Sequence, residues 1–184
     1  MQHNNPWKTL NSRQVYDNPW ITLTEHQVVN PTGGEGIYGE VHFKNLAIGI
    51  VVLDDDRHTW LVGQYRFPLK AYSWEIPEGG GLLHIDPVQS AARELTEETG
   101  IRAAKFTEIQ RMHLSNSVSD ELAIIYLAQG LEYGPAAPEE TEELVIKRLP
   151  FEEAFQLVLK GDITDSMSVA GILKTKLLID QGEI

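Results

Sequence analysis

One complete helix, with its start and stop both written into the sequence, lies among short apolar runs, and it constrains most of what the chain can become. Asp86 offers an N-cap oxygen, Pro87 suits the first helical position, Gln89 stands where a capping-box partner would, and Gly100 suits the left-handed stop. The spacing predicts a helix over about Pro87–Thr99. At roughly 100° per residue, Val88, Ala91, Ala92 and Leu95 share one arc, and Glu94, Glu97 and Glu98 share another. Before this helix, Leu46–Leu53 is a continuous apolar run that reads as a buried strand, and Thr59–Tyr65 reads as its successor. After it, strands are predicted near Lys105–Leu114, Leu122–Ala128 and Leu144–Leu149. Helices are predicted over Phe151–Lys160, ending at Gly161, and from Ser166 to about Ile179 behind an Asp165 cap. Strands on both sides of a central helix, with helices last, imply an α/β fold whose mixed sheet is sandwiched between helices. Ahead of it, Ile21, Leu23, Ile37, Val41 and Phe43 alternate with polar positions around the turn-forming NPTGGEG, which predicts an N-terminal β-hairpin segment over 1–45, followed by the main domain over 46–184.

The glutamate arc is locally unfavourable. Like charges at i,i+3 and i,i+4 cost on the order of 0.2–0.5 kcal/mol each, and glutamates in a last turn face the negative end of the helix dipole. Two readings are open. The carboxylates lie on a solvated face, where tenths of a kcal/mol are tolerated, or they hold a hard divalent cation that takes only oxygen ligands.

Composition narrows the function classes. With 42% apolar residues in 184, the chain has enough material for a full core. A formal net charge of −12, with no lysine–arginine run, argues against general binding to nucleic acid or an anionic membrane. An anionic substrate would need a metal ion or a few placed arginines. The chain has no cysteine, no apolar signal core near MQHNNPWKTL and no stretch near the roughly 18 apolar residues of a membrane span, so the cytoplasm is the expected location. None of the six histidines has metal-ligand spacing.

Gly79, followed after thirteen residues by Arg93-Glu94-Leu95, Glu97-Glu98 and Gly100-Ile101, closely resembles the Nudix box, GX5EX7REUXEEXGU with U aliphatic. The box expects a glutamate six residues after its glycine, and this chain has Ile85 there, which bears on the number of metal ions. The resemblance implies a Nudix α/β/α sandwich over roughly Leu46–Leu178 and a Mg2+-dependent pyrophosphohydrolase, with Mn2+ as a possible substitute. It also implies metal ligation by Glu94 and Glu98, with Glu97 beside them and the backbone carbonyl of Glu78 completing the set. QYRFPLKAYSWEIPEGG, Gln64 to Gly80, is similar to the segment preceding the box in ADP-ribose and nucleotide-sugar pyrophosphatases. That branch implies a homodimer built with the N-terminal strands, Arg66 on a substrate phosphate, and Glu75 as a substrate or supporting carboxylate. Trp74 is expected in the core. The Gly/Pro-rich acidic stretch GLEYGPAAPEETEE has the character of a loop able to close over substrate. In the same branch this place carries a Glu-x-Glu, matched here by Glu140 and Glu142, with Glu140 as catalytic base and Glu142 as its partner. SNSVSDE, from Ser115, is expected to be a turn between two strands. The implied substrate is a small nucleoside diphosphate derivative, ADP-ribose or a nucleotide sugar such as GDP-mannose, cleaved to a nucleoside monophosphate and a sugar phosphate. The rival readings are a non-catalytic Nudix-fold nucleotide-sugar sensor and an enzyme for dinucleoside polyphosphates or nucleoside triphosphates.

Overall fold

Strand-forming residues account for both ends of the N-terminal segment, and the turns between them are set by asparagine side chains. The computed structural model describes residues 4–135 and 144–184, and the chain divides into two units, Met1–Asn45 with His113–Glu121, and Leu46–Met112 with Leu122–Ile184. The first unit holds β1 (Lys8–Asp17), β2 (Ile21–Val29) and β3 (Glu35–Phe43) in the antiparallel order β1-β2-β3. Asn18 Oδ1 accepts from the Trp20 and Ile21 N–H groups at 2.9 and 2.7 Å, and Asn30 Oδ1 does the same for Thr32 and Gly34, both at 3.0 Å. These are asparagine turns in which a side chain takes the place of a backbone acceptor. The anticipated hairpin, β2–β3, is present. It gains β1, whose register slips twice, between Thr9 and Asn11 and between Gln14 and Tyr16; those bulges break the alternation that would have marked the strand. The SNSVSDE stretch is a turn between strands as anticipated, fixed to β3 by Val41 N–H on the Val118 carbonyl at 2.8 Å and by His42 against Asp120.

The second unit contains β4 (Asn45–Val52), β5 (His58–Arg66), β6 (Ala71–Glu75), β7 (Glu78–Leu82), α1 (Pro87–Thr99), β8 (Ile101–His113), β9 (Leu122–Tyr133), β10 (Val145–Pro150), α2 (Phe151–Lys160) and α3 (Ser166–Asp180). The mixed sheet runs β7-β4-β9-β8 with β4 and β9 parallel, and an antiparallel sheet runs β10-β5-β6. Both faces of β4 and β9 are covered, as parallel pairing demands. Ile48, Ile50, Val52, Ile124 and Tyr126 pack with Ala91 and Leu95 of α1, while Val51 and Ile125 lie against Gly171 of α3. Leu95 is fully buried, a side-chain burial worth about 1.5–3 kcal/mol.

α1 begins and ends as its local signals require. Asp86 Oδ1 accepts from Val88 N–H at 3.1 Å, and Gly100, at φ 72°, returns its N–H to the Thr96 carbonyl at 2.9 Å. The reversal at Gly100 passes directly into β8, so that strand starts earlier than the apolar pattern suggests. β6 and β7 escaped the sequence reading because each is five residues long and β7 is mostly glycine, which carries no strand preference.

Candidate active site

α1 brings Glu94 and Glu98 one turn apart onto a face that is not solvated: the two residues are 9% and 2% exposed. The solvated-surface reading therefore fails for both, although Glu97 is half-buried and takes Arg93 Nη1 at 2.5 Å. Glu98 Oε2 accepts the backbone N–H of Glu78 at 3.0 Å, tying the helix to the start of β7. Arg93 reinforces the tie by donating Nη2 to the Gly80 carbonyl at 2.9 Å and to Glu94 Oε1 at 2.6 Å. Burial opposes the Arg93 charge, yet Glu94 and Glu97 raise its pKa beyond the ordinary guanidinium value.

Glycine at 79 is required by this arrangement. A Cβ there would stand 2.5 Å from Glu94 Oε2 and closer still to the carboxyl carbon and Oε1. The missing side chain is thus the space in which the Glu94 carboxylate lies. Two buried carboxylates four residues apart, framed by the glycines of β7, form an oxygen-only donor set that fits a hard divalent cation such as Mg2+ or Mn2+.

Beside this cradle lies an ionic network on the β5–β6 hairpin. Arg66 Nε reaches both Glu75 oxygens at 3.0 Å, and its Nη2 donates to Glu75 Oε2 at 2.6 Å and Glu78 Oε1 at 2.7 Å. Glu75 is 2% exposed; paired in this way it avoids the cost of a lone buried charge. Burial disfavours the Arg66 charge, but the bonds to Glu75 and the charges of Glu78 and Asp165 outweigh it, so its pKa is raised. Glu78 is held well above the usual carboxylate range, first by burial and then by the charges of Asp165 and Glu75. Asp165 also caps α3, its Oδ2 accepting from Ser168 N–H at 2.7 Å, while Ser168 Oγ accepts from Ile76 N–H at 2.9 Å and pins the β6–β7 corner to that helix.

The chain thus brings together Arg66, Glu75, Glu78, Glu94 and Glu98, with Glu97 at the margin. Glu140 and Glu142 lie outside the described residues. Trp74 departs from its expected place: it is half-buried, with its ring edge-on to Tyr72 at 5.6 Å. The sequence reading missed the side chain of Glu78 and the second role of Asp165. The one available signal was a glutamate directly after the apolar pair Ile76-Pro77, where a solvated side chain is out of place.

Comparison with known proteins agrees with the geometry. The NUDIX domain family profile matches residues 43–167, and the chain belongs to that family: it is a Nudix hydrolase. Residues 7–41 match the nucleoside diphosphate sugar hydrolase N-terminal domain, and within the family the chain falls in the ADP-ribose and nucleoside diphosphate sugar pyrophosphatase branch. An ADP-ribose pyrophosphatase of Mycobacterium tuberculosis is 35% identical over 174 residues, covering 91% of this chain and 82% of that protein. A CMP-5'-(N-acetyl-N-hydroxy-3-aminopropyl)phosphonate hydrolase of Streptomyces rubellomurinus is 32% identical, covering 91% and 81%. The fold matches a crystal structure of an ADP compounds hydrolase with a TM-score of 0.86 over 100% of both chains at 22% identity.

Proposed function

We propose that this hydrolase cleaves the diphosphate of a small nucleoside diphosphate derivative, ADP-ribose or a nucleotide sugar, into a nucleoside monophosphate and a sugar phosphate, with Mg2+ as its metal and Mn2+ as a substitute. The observation that carries the reading is the burial of Glu94 and Glu98 on one turn of α1 beneath Gly79. Two carboxylates on one helix turn, enclosed beside a glycine strand, offer the oxygen-only donor set that a hard divalent cation takes. When bound there, together with the Glu78 carbonyl and with Glu97 beside it, the metal ion supplies charge stabilisation for the phosphate oxygens.

The chain's own residues supply the rest. Arg66, its Nε and Nη2 held by Glu75 and Glu78, is a pre-oriented guanidinium whose charge faces a phosphate with little reorganisation. Glu75 fixes the plane of that guanidinium. Glu140 accepts the proton of the attacking water, and Glu142 supports it; in-line attack needs such a base on a segment that closes after substrate enters. The hydroxyl oxygen of the water then bonds phosphorus as the bridging oxygen departs with the second phosphate.

The N-terminal segment, 1–45, serves as the dimerisation element in this reading. Every residue of β1 is exposed, and Leu10, Val15, Tyr16 and Ile37 of the three-stranded sheet, with Trp20 in the turn between β1 and β2, stay open to solvent. Exposed apolar surface of that kind on a small sheet calls for a partner, and a second copy of the chain is the proposed one. Among the described residues no helix is long and apolar enough to cross a membrane; the absence of cysteine suits a reducing, cytoplasmic setting. The test is a panel of ADP-ribose, nucleotide sugars, dinucleoside polyphosphates and nucleoside triphosphates incubated with Mg2+, with products identified by chromatography. Release of a nucleoside monophosphate from a diphosphate-linked substrate supports the reading. Preferential cleavage of triphosphates or polyphosphates would replace it, and binding without any product would make the protein a sensor.

A further inference from the structure

The glutamates of α1 do not account for all the buried negative charge. On the far side of residue 78, one oxygen from each of Glu75, Glu78 and Asp165 lies within 4.8 Å of the others. Among the described residues Arg66 is the cation bonded to the trio, through Glu75 and Glu78, so three carboxyl groups meet one positive charge there. Arg66 satisfies Glu75 well. It leaves Glu78 half satisfied: the Glu78 side chain is 9% exposed, its Oε1 takes Arg66, and its Oε2 is buried with no hydrogen-bond partner among the described residues. Without a metal ion, Asp165 can serve as that partner only by sharing a proton with Glu78, the form that burial and the neighbouring charges favour. Two buried carboxyl oxygens facing each other need either a shared proton or a metal cation between them, and a divalent cation would take the place of the proton.

We propose that Glu75, Glu78 and Asp165 form a second divalent-cation site, separate from the Glu94–Glu98 pair and joined to it through residue 78. The backbone N–H of Glu78 is bonded to Glu98 while its side chain belongs to the trio. The donor set is all oxygen, which selects a hard ion such as Mg2+, Mn2+ or Ca2+. At bond lengths of about 2.1–2.5 Å, ligand oxygens stand about 3–3.5 Å apart when adjacent and about 4–5 Å apart when opposite, so three oxygens within 4.8 Å of one another come into reach of one ion by adjustment of their side chains. The remaining positions would go to water or to substrate oxygens. Cation binding at the trio does not depend on the pyrophosphatase reading; a part in turnover rests on it.

The experiment is a Mn2+ titration of metal-stripped full-length protein, following free Mn2+ by electron paramagnetic resonance, for the wild type and for Asp165→Asn, Glu78→Gln and Glu98→Gln. Asparagine preserves the cap of α3, and glutamine keeps an acceptor for Arg66, so both trio variants retain their local contacts. The expected result is one Mn2+ per chain fewer in Asp165→Asn and Glu78→Gln than in the wild type, with that additional ion kept by Glu98→Gln. Melting curves give a second readout: Mn2+ should raise the Tm of the wild type more than that of either trio variant. If both trio variants hold the wild-type number of ions and gain the same Tm shift, the second site is refuted while the α1 site stands. If the wild type takes up no Mn2+ at all, both fall together.

Discussion

Gly79→Ala separates the geometry of the metal cradle from the stability of the fold. Gly79 is not in the left-handed region, so alanine meets no backbone penalty. Its new methyl would stand 2.5 Å from Glu94 Oε2, nearer still to the rest of that carboxylate, whereas ordinary contact begins near 3.4 Å. The carboxylate must therefore retreat by about 1 Å, and it does so by rotating the end of a flexible side chain instead of moving the helix. Displacement of a reacting group by that distance costs on the order of 100-fold in rate, which is about 2.7 kcal/mol of transition-state stabilisation. Steady-state kinetics on the best substrate of the panel should show kcat/KM down by about two orders of magnitude and a weaker dependence on Mg2+, with Tm within a few degrees of the wild type. Turnover within about threefold of wild type would show that Glu94 does not need this position, and the cradle argument would fail.

Three further outcomes follow from other parts of the molecule. Glu140→Gln should lower kcat by about 10²–10⁴-fold, the usual contribution of a general base, and near wild-type turnover would remove Glu140 from the mechanism. Light scattering at micromolar concentration should give twice the chain mass, and a monomer would defeat the role assigned to residues 1–45. At Asp54, burial opposes the charge, but Arg148 Nη2 at 2.6 Å and the His58 N–H at 2.7 Å hold the carboxyl below its usual value. A depressed folded pKa contributes stability above the ordinary value of about 3.9 and loses it as pH falls through the folded one. The Tm deficit of Asp54→Asn at neutral pH should therefore shrink as the pH falls below about 4, and a deficit that stays constant with pH would refute the linkage.

Legibility in the sequence followed the range of the interactions. α1 could be read to the residue because its cap, first-turn proline and left-handed stop are neighbours along the chain. So could the start of α3, whose Asp165 cap lies three residues from its donor. The glutamate arc was visible from helical periodicity, but its burial was not. The packing arc and the acidic arc are distinct on a helical wheel, and only β7 lying across the helix shows that Glu94 and Glu98 are covered. Glu78 was harder still. Its side chain is decided by Arg66 from one strand and Asp165 from the start of a helix far along the chain, and nothing within ten residues announces either. β1 was lost to its two bulges, and Trp74 to a hairpin that leaves one side of the ring uncovered.

The central claim is that Glu98 and its neighbour one turn earlier hold the cation that makes diphosphate cleavage possible. Its most direct test is the Mg2+ titration of product release for the wild type and Glu98→Gln, in which an amide oxygen can still accept the Glu78 N–H but the charge is gone. Mononucleotide release that saturates with Mg2+ in the wild type and is lost by about 10³-fold or more in a folded Glu98→Gln protein is the expected result. Equal turnover in the two proteins, or release that ignores Mg2+, would contradict it.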